Sequence, residues 1–179
     1  MEELLKFIST ALEERGIDYM LSGSVALNAY SIPRYTRDID IVIELRSDNF
    51  LAFADIFSHR ECYFHYESAE AEVQRRGMFN IIDWKSGMKV DFIIRKNDEF
   101  QKTEFERRQR KEILDTIDCW VISPEDLIVA KLLWIQQLYS QQQIDDIKNI
   151  LHDCPALDKT YIISWIGTLQ LNDFRLFSE

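Results

Sequence analysis

Ile17-Asp18-Tyr19-Met20-Leu21-Ser22-Gly23-Ser24-Val25-Ala26-Leu27-Asn28-Ala29-Tyr30, followed after a gap by Asp38-Ile39-Asp40-Ile41-Val42-Ile43, decides how this chain folds. The apolar run at 17–21 reads as a short strand, and the small residues Ser22-Gly23-Ser24 interrupt it. Residues 25–30 resume the apolar pattern as a short helix. It must stop before Pro33, because the residue preceding a proline is pushed out of the α conformation. Residues 38–45 alternate acidic and branched apolar side chains and then become continuously apolar, which suits a strand entering a covered sheet. The unit is strand, tight turn, helix, strand.

Working outward, Leu4, Leu5, Ile8, Ala11 and Leu12 fall at helical spacing, and Gly16 offers a left-handed stop, so 2–15 reads as an amphipathic helix. Ser47 or Asp48 caps a following helix that turns Phe50, Leu51, Phe53, Ala54 and Phe57 inward, and another short helix falls at about 68–76. The stretches 78–84 and 88–94, joined by Lys85-Ser86-Gly87, form the clearest hairpin. Residues 98–111 read as a charged, solvated helix with intrahelical ion pairs, and 117–122 as a further strand. Ser123-Pro124-Glu125-Asp126 is a strong helix start, opening helices at 124–139, 141–152 and 158–169. The expectation is an α/β (α+β) chain: a mixed-sheet core over 1–122 and a C-terminal helical subdomain over 123–179, packed as one compact unit.

Composition bounds the function. With 46% apolar residues over 179 positions there is material for a real core. The 31 acids against 21 bases give a formal charge of −10, which opposes a broad, sequence-blind grip on nucleic acid or an acidic membrane. No run of eighteen apolar residues and no basic secretory leader is present, so the expectation is a soluble, cytoplasmic chain without a membrane partner. Cys62, Cys119 and Cys154 are far apart and read as buried, reduced thiols; the histidines show no ligand spacing.

The chemistry concentrates in three places. Side chains alternate along a strand, so Asp38 and Asp40 leave one face together while Ile39 and Ile41 enter the core. Paired carboxylates repel each other, and a hard divalent cation is the natural compensation: magnesium first, manganese as the alternative. Asp91, flanked by Val90 and Phe92, adds a third carboxylate if its strand lies beside the first, enough to bridge two cations about 3.5–4 Å apart, with Asp91 also serving as base. Gly23 and Ser24 open a helix whose free N–H groups suit phosphate. Lys131, alone among apolar helical neighbours, reads either as a cation for triphosphate or as a snorkelling lysine; Arg34 and Arg37 read as phosphate ligands or as partners of Asp38. Asp145 and Asp146 read as helix-surface acids, and the four scattered tryptophans as packing residues.

Gly23-Ser24, a thirteen-residue gap, Asp38-Ile39-Asp40-Ile41 and the later Val90-Asp91-Phe92 resemble the signature of the DNA polymerase β-like nucleotidyltransferase superfamily. The segment from Pro33 to Asp40, together with Lys89-Val90-Asp91, Pro124 to Ile128, Lys131 and the helix at 143–151, is similar to small bacterial nucleotidyltransferase-like proteins related to AbiE-type abortive-infection toxins. One departure is Gln141-Gln142-Gln143, where related toxins carry an Arg or Lys followed by Asp. The resemblance implies a mixed sheet with helices packed on it, metal ligation by Asp38, Asp40 and Asp91, and contact of Ser24 with a nucleoside triphosphate. It also implies magnesium-dependent transfer of a nucleoside monophosphate to a hydroxyl on a small molecule, a protein or RNA. The expectation from another class is an inactive nucleotide- or partner-binding protein, such as one half of a toxin–antitoxin pair, with an antitoxin-type protein as a candidate partner. Oligomeric state has no signature in the sequence.

Overall fold

The computed structural model describes residues 1–114 and 117–177. A seven-stranded mixed sheet in the order β3-β4-β5-β2-β1-β7-β6 forms the centre. Its strands are β1 (Tyr19–Ser22), β2 (Asp38–Ile43), β3 (Cys62–Tyr63), β4 (Met78–Asp83), β5 (Lys89–Ile94), β6 (Gln109–Ile113) and β7 (Ile117–Val121). The pairs β2–β5 and β1–β7 are parallel and the others antiparallel. Helices α1 (Glu2–Glu14), α2 (Gly23–Leu27), α3 (Phe50–Asp55), α4 (Tyr66–Arg75), α5 (Glu99–Glu106), α6 (Pro124–Gln137), α7 (Gln141–Asp153) and α8 (Lys159–Thr168) complete the described chain. None of them is long and apolar enough to cross a membrane.

Register divides the sheet into two chemically different faces. Leu21, Ile41, Phe92 and Phe79 lie side by side on neighbouring strands and are all buried. Phe53 of α3 meets Phe92 and Phe79 edge-on, at 4.9 and 5.5 Å between ring centroids, and Phe57 joins the same cluster. Such edge-to-face contacts add to the area buried and fix how the helix sits. The other face carries Ser22, Asp40, Asp91 and Asn80 in the equivalent row.

Several expectations need correction. The charged helix stops at Glu106, and 109–113 forms the edge strand β6, paired with β7 from Gln109↔Val121 to Ile113↔Ile117. Its charges are spent on tertiary rather than intrahelical pairs: Arg107 on Asp126, Arg108 on Asp18, and Arg110 on Asp118 and Glu13. An exposed charged run satisfies an edge strand as well as a helix surface, so composition does not separate the two. Glu104, expected on the solvated face, is buried. In α3 the N-cap is Asn49, and Leu51 is 71% exposed because a six-residue helix buries only the stripe Phe50, Phe53 and Ala54. Cys119 is buried, whereas Cys62 and Cys154 are only half-buried; all three are free thiols. Trp84 and Trp134 are exposed rather than packed. The helix expected at 25–30 runs from Gly23 to Leu27, and β3 has no signal in the sequence. At the start of α6 the local signal agrees with the structure: Ser123 caps it by accepting from Asp126 N–H at 3.2 Å, with Pro124 at the first helical position.

Candidate active site

Asp40 sits directly beside Asp91 in the parallel register of β2 and β5, and beside Ser22 in the antiparallel register of β1. Neighbouring strands are only about 4.8 Å apart, so the two carboxylates are held close by the sheet itself. Asp38 lies two residues back, on the same face, opposite Lys89. Asp91 is buried, and its Oδ1 has no hydrogen-bond partner among the described residues. Burial raises the Asp40 carboxyl above its ordinary pKa, and the charges of Asp91 and then Asp38 push it the same way, against Lys131 and Lys89.

Gly23 closes the site from above. Its φ is +57°, in the left-handed region where a side chain is strained. A Cβ there would also overlap Asp40 Oδ2 and come within 2.6 Å of its Cγ. The strand β1 therefore passes into α2 through a bare backbone pressed against Asp40. With five residues α2 has little macrodipole, so any anion affinity rests on its unpaired first-turn N–H groups and on neighbouring cations.

Those cations form a network that reaches into the helical tail. Arg34 donates through Nη2 to Ser24 Oγ at 2.6 Å and forks onto Asp146, Nε to Oδ1 at 3.2 Å and Nη2 to Oδ2 at 3.1 Å. With its amide oxygen facing the guanidinium, Gln142 accepts from Arg34 Nη1 at 2.9 Å. Lys131 is buried, and its ammonium donates to Asp146 Oδ2 at 2.8 Å and Gln143 Oε1 at 2.7 Å. Burial lowers its pKa, against the pull of Asp146. Asp146 is thus no surface acid: it is 3% exposed and holds both cations. A signal for it was present, since positions 143, 146, 147 and 150 share one face of a helix and Ile147 and Ile150 are apolar.

The structure therefore brings together Asp38, Asp40, Asp91, Gly23 and Ser24, and places Lys131 near enough for its charge to act on Asp40. Arg37, next to Asp38, is exposed, and its side chain has no ion pair among the described residues. Lys89, unassigned from the sequence, contacts two of the carboxylates, Asp91 Oδ2 at 2.7 Å and Asp38 Oδ1 at 3.5 Å. Among the described residues no three His, Cys, Asp or Glu side chains are gathered as a ready metal cage. The buried unpartnered Asp91 Oδ1, the raised Asp40 carboxyl beside it and the all-oxygen donor set nonetheless fit a hard cation.

No family model matches this chain. No curated protein matches it either. Solved structures do. The antibiotic-resistance factor ANT(2'')-Ia superposes with a TM-score of 0.59 at 12% identity, over 94% of this chain and 90% of that one. The lincosamide antibiotic adenylyltransferase LnuA, lincomycin-bound, gives 0.51 at 14%, over 84% and 96%. An antigenic nucleotidyltransferase-like protein from Paracoccidioides brasiliensis gives 0.51 at 15%, over 94% and 86%. The chain has the fold of these nucleotidyltransferases over most of its length.

Proposed function

We propose that this protein is a nucleotidyltransferase that moves a nucleoside monophosphate from a nucleoside triphosphate to a hydroxyl acceptor. The observation that carries the reading is the placement of Asp40 and Asp91 as register neighbours, buried and short of positive charge, against the bare backbone of Gly23. Fold likeness alone does not make an enzyme, but the carboxylates and the glycine bend occupy one site on a fold that two proteins named for antibiotic resistance or adenylylation also have.

Asp38, Asp40 and Asp91 would hold magnesium or manganese, which when bound neutralises phosphate charge and lowers the pKa of the attacking hydroxyl. Gly23 and Ser24 receive the outer phosphates at the first-turn N–H groups of α2. Arg34, already hydrogen-bonded to Ser24, can turn one donor to phosphate while Asp146 keeps the guanidinium oriented. Lys131, which donates to the same Asp146 oxygen as Arg34, adds positive charge beside it. In the reaction the acceptor oxygen bonds to the α-phosphorus, the bond to pyrophosphate breaks, and the hydroxyl proton passes to Asp91 Oδ1. The acceptor belongs to a small molecule, a protein or an RNA end.

The test is a label-transfer screen with each nucleoside triphosphate, magnesium or manganese, and acceptors of all three kinds. Wild type is compared with the double variant Asp38→Asn/Asp40→Asn. Incorporation lost in the variant supports the enzyme. Saturable nucleotide binding without incorporation into any acceptor would replace it with a nucleotide-binding protein.

A further inference from the structure

Lys89 does something that the proposed reaction does not ask for. It lies two residues before Asp91 on β5, on the same face, and opposite Asp38 in the register with β2. Its ammonium reaches both carboxylates, at 2.7 Å from Asp91 Oδ2 and 3.5 Å from Asp38 Oδ1. No other cation makes an ion pair with Asp38, Asp40 or Asp91 among the described residues. Lys89 thus pairs with two of the three carboxylates, and Asp40 feels Lys131 and Lys89 only at longer range. The shortfall is visible in Asp91 Oδ1, which belongs to a residue only 7% exposed and finds no partner.

We propose that Lys89 is a tethered counter-ion: it keeps a cation's place among these carboxylates and swings out when a divalent ion enters. The inference rests on the reading above that these carboxylates bind such an ion. The lysine is suited to the task. Its side chain is 39% exposed, so the ammonium can exchange carboxylate contact for water by rotating a flexible stem, whereas buried Lys131 is held at 4% exposure by Asp146 and Gln143. Occupancy by Lys89 sets a threshold. It stabilises the folded chain in the absence of ligand, and it opposes binding of the ion by itself, because the incoming ion must displace a neutralising charge at direct contact. A triphosphate, which brings further negative charge to the site, tips the exchange toward the ion.

The experiment is a titration of the full chain with manganese chloride, without nucleotide, followed by electron paramagnetic resonance. Lys89→Met is expected to bind manganese about tenfold more tightly than wild type, the scale of one partly screened charge at contact distance. Lys89→Arg, which keeps the charge, should bind no more tightly than wild type. In parallel, acetylation of Lys89 read by mass spectrometry should become several-fold faster in wild type when manganese is added; this measurement carries the test if Lys89→Met fails to fold. Equal or weaker manganese affinity in folded Lys89→Met, or unchanged Lys89 acetylation, overturns the proposal. If manganese binds wild type and Lys89→Met equally and is lost in Asp40→Asn, the cation site stands and only the role of Lys89 falls. If neither binds manganese and acetylation is unchanged, both readings fall together.

Discussion

Two buried carboxylate centres in this molecule look alike in composition and differ in how completely they are satisfied. Asp126, at the start of α6, is fully buried; it accepts from Ser123 Oγ at 2.6 Å, Arg107 Nε at 3.0 Å and Tyr161 OH at 2.5 Å. Arg107 also lies over the Tyr161 ring, 4.1 Å from its centroid. Every partner comes from this chain, so the centre joins α5, α6 and α8 and leaves nothing for a ligand. Among the described residues Asp91 and Asp38 share one ion-paired lysine, Asp40 has no ion pair, and Asp91 Oδ1 has no partner. A buried polar group without a partner carries a cost of about 1–3 kcal/mol, so each one calls for an explanation. Glu104 Oε2 and Arg108 Nε are unpartnered too among the described residues, so a missing partner alone marks no site; what distinguishes Asp91 is that its unpartnered oxygen lies beside Asp40 and Asp38 under the Gly23 bend.

That contrast is easily broken. Asp40→Asn should lower label transfer by about 10²–10³, roughly 3–4 kcal/mol of transition-state stabilisation, while chemical denaturation shows stability unchanged or higher, because one member of a repelling set has lost its charge. Asp126→Ala should do the reverse. It leaves Tyr161 and the part-exposed Arg107 without their acceptor and should cost about 2–3 kcal/mol in denaturant midpoint analysis, with manganese affinity of the folded fraction unaltered. Gly23→Ala should destabilise by about 1–3 kcal/mol from backbone strain and also weaken manganese binding by displacing Asp40; a variant with normal affinity would separate the bend from the site.

The smallest effect concerns a third acid. Burial raises the Glu104 pKa well above the ordinary carboxylate range, reinforced by Asp126 and Asp98. A raised folded pKa means that the folded state holds its proton while the unfolded chain loses it, so wild-type stability falls as pH climbs through and above 4.5. Glu104→Gln removes that dependence. Urea unfolding should show the two proteins alike near pH 4 and the variant more stable at pH 7, by on the order of 1 kcal/mol or more.

Legibility in the sequence followed the reach of each signal. The alternation at Asp38-Ile39-Asp40-Ile41, the hairpin at 78–94 and the Ser123-Pro124 cap are local patterns, and the structure reproduces them. The strand β6 was misread because Gln109 to Ile113 is charged, and its strand character comes from pairing with β7. Asp146 was misread because its burial depends on two cations, Arg34 and Lys131, that approach from distant positions. Lys89 was legible only as a neighbour of Asp91, since its contact with Asp38 depends on the register between β2 and β5. Side-chain face follows from local periodicity, and the neighbour across that face does not.

The most direct measurement is anomalous diffraction from crystals grown with manganese and a non-hydrolysable nucleoside triphosphate. The account expects manganese between Asp40 and Asp91, phosphate against Gly23 and Ser24, and the Lys89 ammonium moved off both carboxylates. Nucleotide bound elsewhere, or Lys89 still seated on Asp91 with no manganese beside it at saturating concentration, would contradict it.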